Sequence, residues 1–394
     1  MIRTRFENLD LPMLGFGAMR LPMLSDGSAV DEKQAEEMVH YAMAHGVNYF
    51  DTAHPYHNGT SEGILGRALR QYPRESYYLA DKYPGHQIAS SYDPAYTFEE
   101  QLQRCGVEYF DFYLLHNVCE LSMPAYTDPR WRMVDYFAEQ KKLGRIRHLG
   151  FSTHAGLECL EEFLSKYGEH MEFCQIQLNY LDWTLQDAKA KVELLRRYHM
   201  PIWVMEPVRG GKLASLSEEN MEKLNALRPG VKPAEWAFRW LQGIEGVQVI
   251  LSGMSNMNQM MENIATFETH QPLNAEEEAA VFAVAESMKD SVPCTACRYC
   301  TKGCPMGLDI PMLLSIANEI RFAHSGNTGM RIEALPDDKK PSACIGCGAC
   351  TQICPQKIDV PEVLHALDDA LAKVPSWREI SRQREEAAKK LRGL

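Results

Sequence analysis

Over the first two-thirds of the chain, short apolar runs alternate with amphipathic stretches. Eight of the runs read as strands: "MLGFGAM" (13–19), "VNYFDT" (47–52), "YYLADK" (77–82), "FDFYLLH" (110–116), "IRHLGFS" (146–152), "FCQIQLN" (173–179), "PIWVME" (201–206) and "VQVILSG" (247–253). Between them, "DEKQAEEMVHYAMAHG" puts Ala35, Met38, Val39 and Ala42 on one helical face, with Gly46 as a C-terminal stop. "SEGILGRALRQY" does the same with Ile64, Leu65, Ala68 and Leu69. Eight strand–helix units in about 270 residues predict an α/β fold, a parallel (β/α)8 TIM barrel. An open doubly wound sheet is the alternative, but no G-x-G-x-x-G turn follows the first strand.

The pattern changes near residue 272, so two domains are expected, 1–271 and 272–394. "LNAEEEAAVFAVAESMKD" and "LDIPMLLSIANEIRFA" read as helices, "HSGNTGMRIEALPDDKKPSA" as a loop, and "DVPEVLHALDDALAKV" as a helix before the charged tail "SWREISRQREEAAKKLRGL". No strand stands out there. The second domain reads as small and helical.

Four cysteines flank each loop of that domain. Cys294, Cys297, Cys300 and Cys304, and then Cys344, Cys347, Cys350 and Cys354, each follow C-x2-C-x2-C-x3-C-P. Two-residue gaps let three thiolates converge on one face of a cubane, and the fourth, before Pro305 or Pro355, is expected to ligate the other cluster. Gly303, Gly346 and Gly348 are expected to supply tight turns. Zinc, also a thiolate metal, more often takes two C-x2-C pairs separated by a longer spacer. Two [4Fe–4S] clusters are therefore expected. The remaining cysteines, Cys105, Cys119, Cys159 and Cys174, read as small apolar core residues.

Composition narrows the function. The net charge of −12 comes with no basic run, which argues against nucleic acid and anionic membrane as partners. No apolar stretch approaches 18 residues, and the N-terminus lacks the apolar core of a signal peptide. With twelve cysteines mostly in metal-type spacing, a reducing cytoplasm is expected.

Four titratable residues stand at or just past predicted strand ends: Asp51, Tyr56, Lys82 and His116. In a (β/α)8 barrel such positions converge. Reducing a carbonyl by hydride needs a proton for the developing alkoxide. A tyrosine supplies it if a nearby ammonium lowers its pKa and a carboxylate holds the ammonium, while a histidine orients the carbonyl. Each residue alone is commonplace. Their joint placement carries the reading.

In order along the chain, "GFGAMRLP", "NYFDTAHPYHNG", "SEGILGRAL", "LADK", "DFYLLH", "IRHLGFSTH" and "QIQLNYLD" resemble an aldo-keto reductase over about residues 5–270. The cysteine runs resemble those of bacterial ferredoxins, with helices closer to the α-helical ferredoxin variant. The whole chain is similar to the aldo-keto reductase branch with a C-terminal iron–sulfur domain. The resemblance implies Tyr56 as proton donor, Lys82 and Asp51 as its tuning pair and His116 as carbonyl orienter. It implies NAD(P)H extended across the barrel mouth, with Gly17 in the first turn and Ser152 and Gln177 at the carboxamide. Ser252, Gly253 and Met254 would lie beside phosphate, at a helix N-terminus, and Gln259 and Asn263 at the adenosine end.

Two departures follow. Relatives often end strand seven with an aromatic residue that stacks on nicotinamide, whereas "WVMEPVRGG" offers Met205 and Glu206. Positions 252–259 contain no cation for an adenosine 2′-phosphate, which leaves NADH open. Arg209 and Lys212 read equally as pyrophosphate or substrate-anion ligands and as surface cations. Three functions compete. The clusters connect carbonyl/alcohol chemistry to a one-electron partner such as ferredoxin, with a flavin or a radical-forming substrate joining hydride to single electrons, although no flavin motif is present. Alternatively, an NAD(P)H-dependent carbonyl reductase carries clusters that brace the tail or sense oxygen. Third, a degenerate barrel acts as a non-enzymatic carrier, which the intact tetrad opposes.

Overall fold

The computed structural model describes residues 1–289, 292–294, 296–322 and 326–391. The chain opens with an antiparallel hairpin, β1 (Arg3–Phe6) and β2 (Leu9–Pro12). Eight parallel strands then close a barrel: β3 (Leu14–Gly17), β4 (Tyr49–Asp51), β5 (Tyr78–Tyr83), β6 (Phe110–Leu115), β7 (Ile146–Thr153), β8 (Cys174–Gln177), β9 (Ile202–Met205) and β10 (Val247–Ser252), with β10 pairing β3. Each falls on one of the eight predicted apolar runs, with β5 and β7 extending one residue past the predicted end.

The strands sort their side chains by parity, as a pleated strand must. On β6, Phe112 and Leu114 point into the barrel with Tyr49, Ala80, Phe173, Trp203 and Val249, while Phe110, Tyr113 and Leu115 face the surrounding helices. Helix Glu32–Ala44 buries Ala35, Met38, Val39 and Ala42, the face read from its periodicity. Its Asp31 cap accepts the Gln34 N–H.

The hairpin has no counterpart in the sequence reading. Its Phe6 stoppers the barrel interior, edge-on to Trp203 at 5.1 Å and to His148 at 5.0 Å between ring centroids. Trp203 in turn donates its Nε1–H to the Tyr49 hydroxyl at 3.0 Å, so the polar atom of this aromatic plug is satisfied.

The second core gathers Leu308, Ile310, Leu313, Leu314, Val360 and Leu364 around the buried Cys300 and Cys350. Helices Ile310–Phe322 and Val360–Ala372 follow the two cysteine runs as paired halves of one repeat. Helix Ala275–Ser287 was assigned by sequence to this domain, yet Val281, Val284 and Ala285 pack into the barrel's core cluster. The two cores therefore meet between Ser287 and Val292. The loop expected from His324 begins at His324 and Ser325, which lie outside the described residues. From Gly326 it is a helix, Gly326–Glu333, whose Met330 is buried beneath Trp377. That helix is set by a distant contact, and its two glycines hid it. The charged tail forms a further helix, Trp377–Leu391.

Phe6 is 4% exposed and joins the hairpin to the barrel interior. Phe6→Ala is expected to destabilise the barrel by about 3–5 kcal/mol, measured as the barrel transition in urea. A loss below about 1 kcal/mol would show that the plug is dispensable.

Candidate active site and cluster cavities

Asp51 closes β4, Lys82 stands one residue before the end of β5, and His116 follows β6 directly. These strands run parallel and pair in sequence, so their C-terminal ends rise together. Tyr56 comes from the loop after β4, on a 3-10 turn (Tyr56–Gly59) in which His57 (φ 50°) and Asn58 (φ 54°) take left-handed backbone. His57 is pinned there because its Nε2 accepts the Leu21 N–H at 3.2 Å.

Lys82 is fully buried. Its Nζ donates to Asp51 Oδ1 at 2.6 Å and to the Thr52 carbonyl at 2.7 Å, and it lies 3.4 Å from the Tyr56 hydroxyl. Burial opposes the lysine charge most strongly, but Asp51 together with Tyr56 and Asp81 offsets it and keeps the ammonium above its ordinary range. Burial also dominates at Tyr56. It raises the phenol's pKa by more than Lys82 lowers it, so the phenol holds its proton, the reverse of the net shift expected from the ammonium alone. The His116 ring stands edge-on to Tyr56, 6.0 Å between centroids. Burial, with the charges of His86, Lys82 and Arg384, pushes His116 well below the usual histidine range. Its neutral imidazole can donate an N–H to a carbonyl oxygen but carries no charge of its own.

The remaining site residues divide. A Cβ on Gly17 would come within 3.3 Å of the Ser252 carbonyl, and one on Gly253 within 3.0 Å of the Arg20 side chain, so neighbouring backbone crowds Gly17 and the Arg20 stem crowds Gly253. Helix Met257–Thr266 begins beside this loop, with Asn256 as its cap. Within the loop, Gln259 Oε1 accepts the Ser255 N–H at 2.8 Å. Ser252 Oγ accepts from Asn263 at 3.0 Å, and Met254 is buried in the core, so these side chains brace the loop. Ser152 Oγ accepts the Asn117 N–H at 2.8 Å. Gln177 Nε2 donates to Asp182 Oδ2 at 2.7 Å, which also accepts from Asn179. Glu206, in left-handed backbone at φ 55°, faces Arg20 at 3.8 Å.

Arg209 is not the surface cation of the second reading. It is buried, ion-paired with Asp182, and lies 4.8 Å over the ring of Phe322 from the cluster domain. Lys212 is exposed. The sequence reading passed over Arg20, although it stands in the quoted "GFGAMRLP". It also missed His86, whose ring is 4.3 Å from His116 and 5.5 Å from Trp377. The signal was faint, a histidine three residues past β5 in "YPGHQ".

The cysteines form two cavities. One, of about 340 Å³, is lined by Cys294, Cys297, Cys300 and Cys354; the other, of about 320 Å³, by Cys304, Cys344, Cys347 and Cys350. The fourth cysteine of each run thus crosses to the other cavity. Four thiols on a mostly apolar wall, joined in the first cavity by Arg298 and Gln356, with no disulfide among them, fit an iron–sulfur cluster in each. The tight turns fall differently from the sequence reading. Gly346 (φ 67°) and Gly348 (φ 72°) are left-handed as expected, but in the first run the matching positions are Ala296 (φ 52°) and Arg298 (φ 63°), and Gly303 has ordinary backbone at φ −96°.

Two predictions follow from these geometries. His86 is buried, and burial holds it well below its unfolded pKa of about 6.5. The unfolded chain therefore binds protons first, and stability present above about pH 6.5 is lost as pH falls. Urea midpoints should drop through this acid range in the native chain and drop less in His86→Gln; identical profiles would contradict the assignment. The crossing of the fourth cysteines predicts that Cys297→Ser with Cys354→Ser removes one cluster, while Cys297→Ser with Cys304→Ser disrupts both. Iron content and electron paramagnetic resonance of anaerobically purified protein would separate the two, and equal losses would refute the crossing.

The comparisons with known proteins agree with the fold and the cysteine sites. Residues 13–286 match the model of the aldo/keto reductase family, and residues 293–358 match a 4Fe-4S dicluster domain. Probable aldo-keto reductase 1 of Glycine max is 27% identical over 223 residues, a match covering 53% of this chain and 60% of that protein. The NADH-specific methylglyoxal reductase of Escherichia coli K12 is 26% identical over 263 residues, covering 56% of this chain and 78% of its own. Among solved structures, the holo form of an aldo-keto reductase from Bacillus halodurans superposes with a TM-score of 0.58 at 25% identity, over 72% of this chain and 96% of its own. With its closed eight-stranded barrel and a family match across more than half its length, the chain belongs to the aldo/keto reductase family and is an oxidoreductase joined to a 4Fe-4S dicluster domain.

Proposed function

We propose that the barrel interconverts a small carbonyl compound and its alcohol with NAD(P)H, and that the clusters pass electrons to or from a one-electron partner such as ferredoxin. The observation that carries the barrel reading is the buried chain Asp51–Lys82–Tyr56, with hydrogen bonds of 2.6 and 3.4 Å, beside a neutral His116.

When bound, a reduced nicotinamide supplies hydride. Tyr56 gives its proton to the developing alkoxide, and Lys82 stabilises the phenolate left behind. Asp51 keeps Lys82 charged and in place, while His116 donates an N–H to the carbonyl oxygen and orients it. Gly17, Gly253 and the N-terminus of helix Met257–Thr266 offer backbone to the pyrophosphate, and Arg20 supplies the nearby cation. Ser152 and Gln177 border the carboxamide end, and Gln259 and Asn263 shape the adenosine end. NADH is favoured because residues 252–259 hold no cation for a 2′-phosphate. One relative carries NADH in its name.

Cys297 and Cys347 are exposed, so each cavity has one edge that a partner protein can approach. A second reading rests on a different observation. The chain past the second cavity returns as helix Trp377–Leu391 and packs on the turn that carries Tyr56, so the clusters also brace a closing element of the barrel. A reducing cytoplasm is the compartment that thiolate-held clusters favour; among the described residues no helix is long and apolar enough to cross a membrane.

Tyr56→Phe should lower carbonyl reduction by roughly 100-fold or more, with folding unchanged by circular dichroism. Unchanged turnover would remove the proton-donor role. In the native protein with oxidised clusters, anaerobic mixing with the alcohol substrate and oxidised nicotinamide, the alcohol being the electron donor, should bleach the visible absorbance of the clusters during turnover. Clusters that keep one redox state throughout would leave only the bracing reading.

A further inference from the structure

The C-terminal helix Trp377–Leu391 brings residues the catalytic tetrad does not use to the barrel mouth. Positions 377, 380, 381 and 384 share one of its faces. Trp377 is buried and donates its Nε1–H to the His86 carbonyl at 2.8 Å, while its own backbone N–H is held by Glu333 at 2.6 Å. Ile380 packs with Trp377, and Ser381 Oγ accepts the Ile88 N–H at 3.3 Å. One turn on, the Arg384 guanidinium lies over the Trp377 ring at 5.0 Å. It is close enough to Tyr56, His86 and His116 for its charge to act on each.

Arg384 differs from the other cations around this mouth. Lys82 is committed to Asp51, Arg209 to Asp182, and Arg20 faces Glu206. On the same helix, Arg382 is exposed and bridges Glu379 and Glu386. Arg384 is partly buried, and the only partner shown for its guanidinium among the described residues is the Trp377 ring. A half-desolvated guanidinium without a carboxylate loses hydration without regaining hydrogen bonds. Its planar fork matches a carboxylate bidentately, and the stack on Trp377 fixes its orientation beforehand. A phosphate dianion would call for more donors than one fork, and the neighbouring cations are engaged.

We infer that Arg384 binds the carboxylate of the substrate, so that the barrel acts on oxo acids or the corresponding hydroxy acids, with the C-terminal helix as the element that selects them. This rests on the carbonyl/alcohol reading above. Arg384 is then a specificity residue contributed by the cluster domain to the barrel's site.

The test reads binding, so that it stands apart from turnover. The anaerobic, cluster-loaded full chain, without nicotinamide, is titrated calorimetrically with phenylglyoxylate, with its methyl ester and with inorganic phosphate. The acid should bind about tenfold or more tightly than the ester, as loss of a charge-assisted pair implies. Arg384→Met should erase that preference and Arg384→Lys should keep part of it. Arg382→Met, which removes the same charge from the solvent face, should leave it intact. Acid and ester binding alike in the native chain, no binding of either, a preference that survives Arg384→Met, or phosphate binding as tightly as the acid would each overturn the proposal. A chain that prefers the acid but never reduces it would refute the carbonyl chemistry and leave Arg384's role standing.

Discussion

A lysine with no exposed surface is the constraint around which the barrel mouth is organised. Lys82 cannot stay charged in that position without Asp51, and among the described residues Asp51 pairs with no other cation. The pair requires β4 and β5 to be neighbours in parallel register, which a closed eight-stranded barrel provides. It also leaves the phenol of Tyr56 beside a fixed positive charge that water does not screen. Burial keeps that phenol protonated at rest, and the ammonium is positioned for the moment the proton leaves. The same dry surroundings keep His116 neutral, which suits its proposed role as an uncharged orienter beside the proposed proton donor Tyr56.

Of the contacts that join the second module to the first, two lead toward the candidate site. Phe322 covers the Arg209–Asp182 pair, and Asp182 in turn holds Gln177. Trp377 reaches His86, which stacks near His116. Both contacts end on residues that border the expected substrate and cofactor positions. The iron–sulfur domain is therefore packed into the walls of the barrel's site.

Much of this was legible in the chain. Strand runs buried on both faces announce themselves as apolar segments, and the tetrad could be found because strand ends converge in a barrel. The crossing of Cys304 and Cys354 was expected from the run spacing, in which the fourth cysteine stands four residues beyond the third, and each lines the other run's cavity. What escaped depends on partners remote in sequence. The hairpin Arg3–Pro12 is short and half polar, and only the aromatic plug gives Phe6 its place. Helix Gly326–Glu333 contains two glycines and is held by Met330 under Trp377. The tail reads as solvated charge, and its docked face is visible only once Trp377 and Arg384 are seen to share it. Arg209 misled for the same reason, since nothing local shows that Asp182 lies opposite it.

The central claim is that the barrel transfers hydride between nicotinamide and a carbonyl carbon and does not route single electrons from the clusters onto that carbon. The most direct measurement is isotopic. The anaerobic, cluster-loaded chain is incubated with nicotinamide cofactor deuterated at the transferring carbon, in ordinary water, with a carbonyl substrate, and the alcohol is weighed by mass spectrometry. The account predicts one deuterium at the carbinol carbon. An alcohol formed without label would contradict it, because its hydrogen would have come from solvent after stepwise electron transfer.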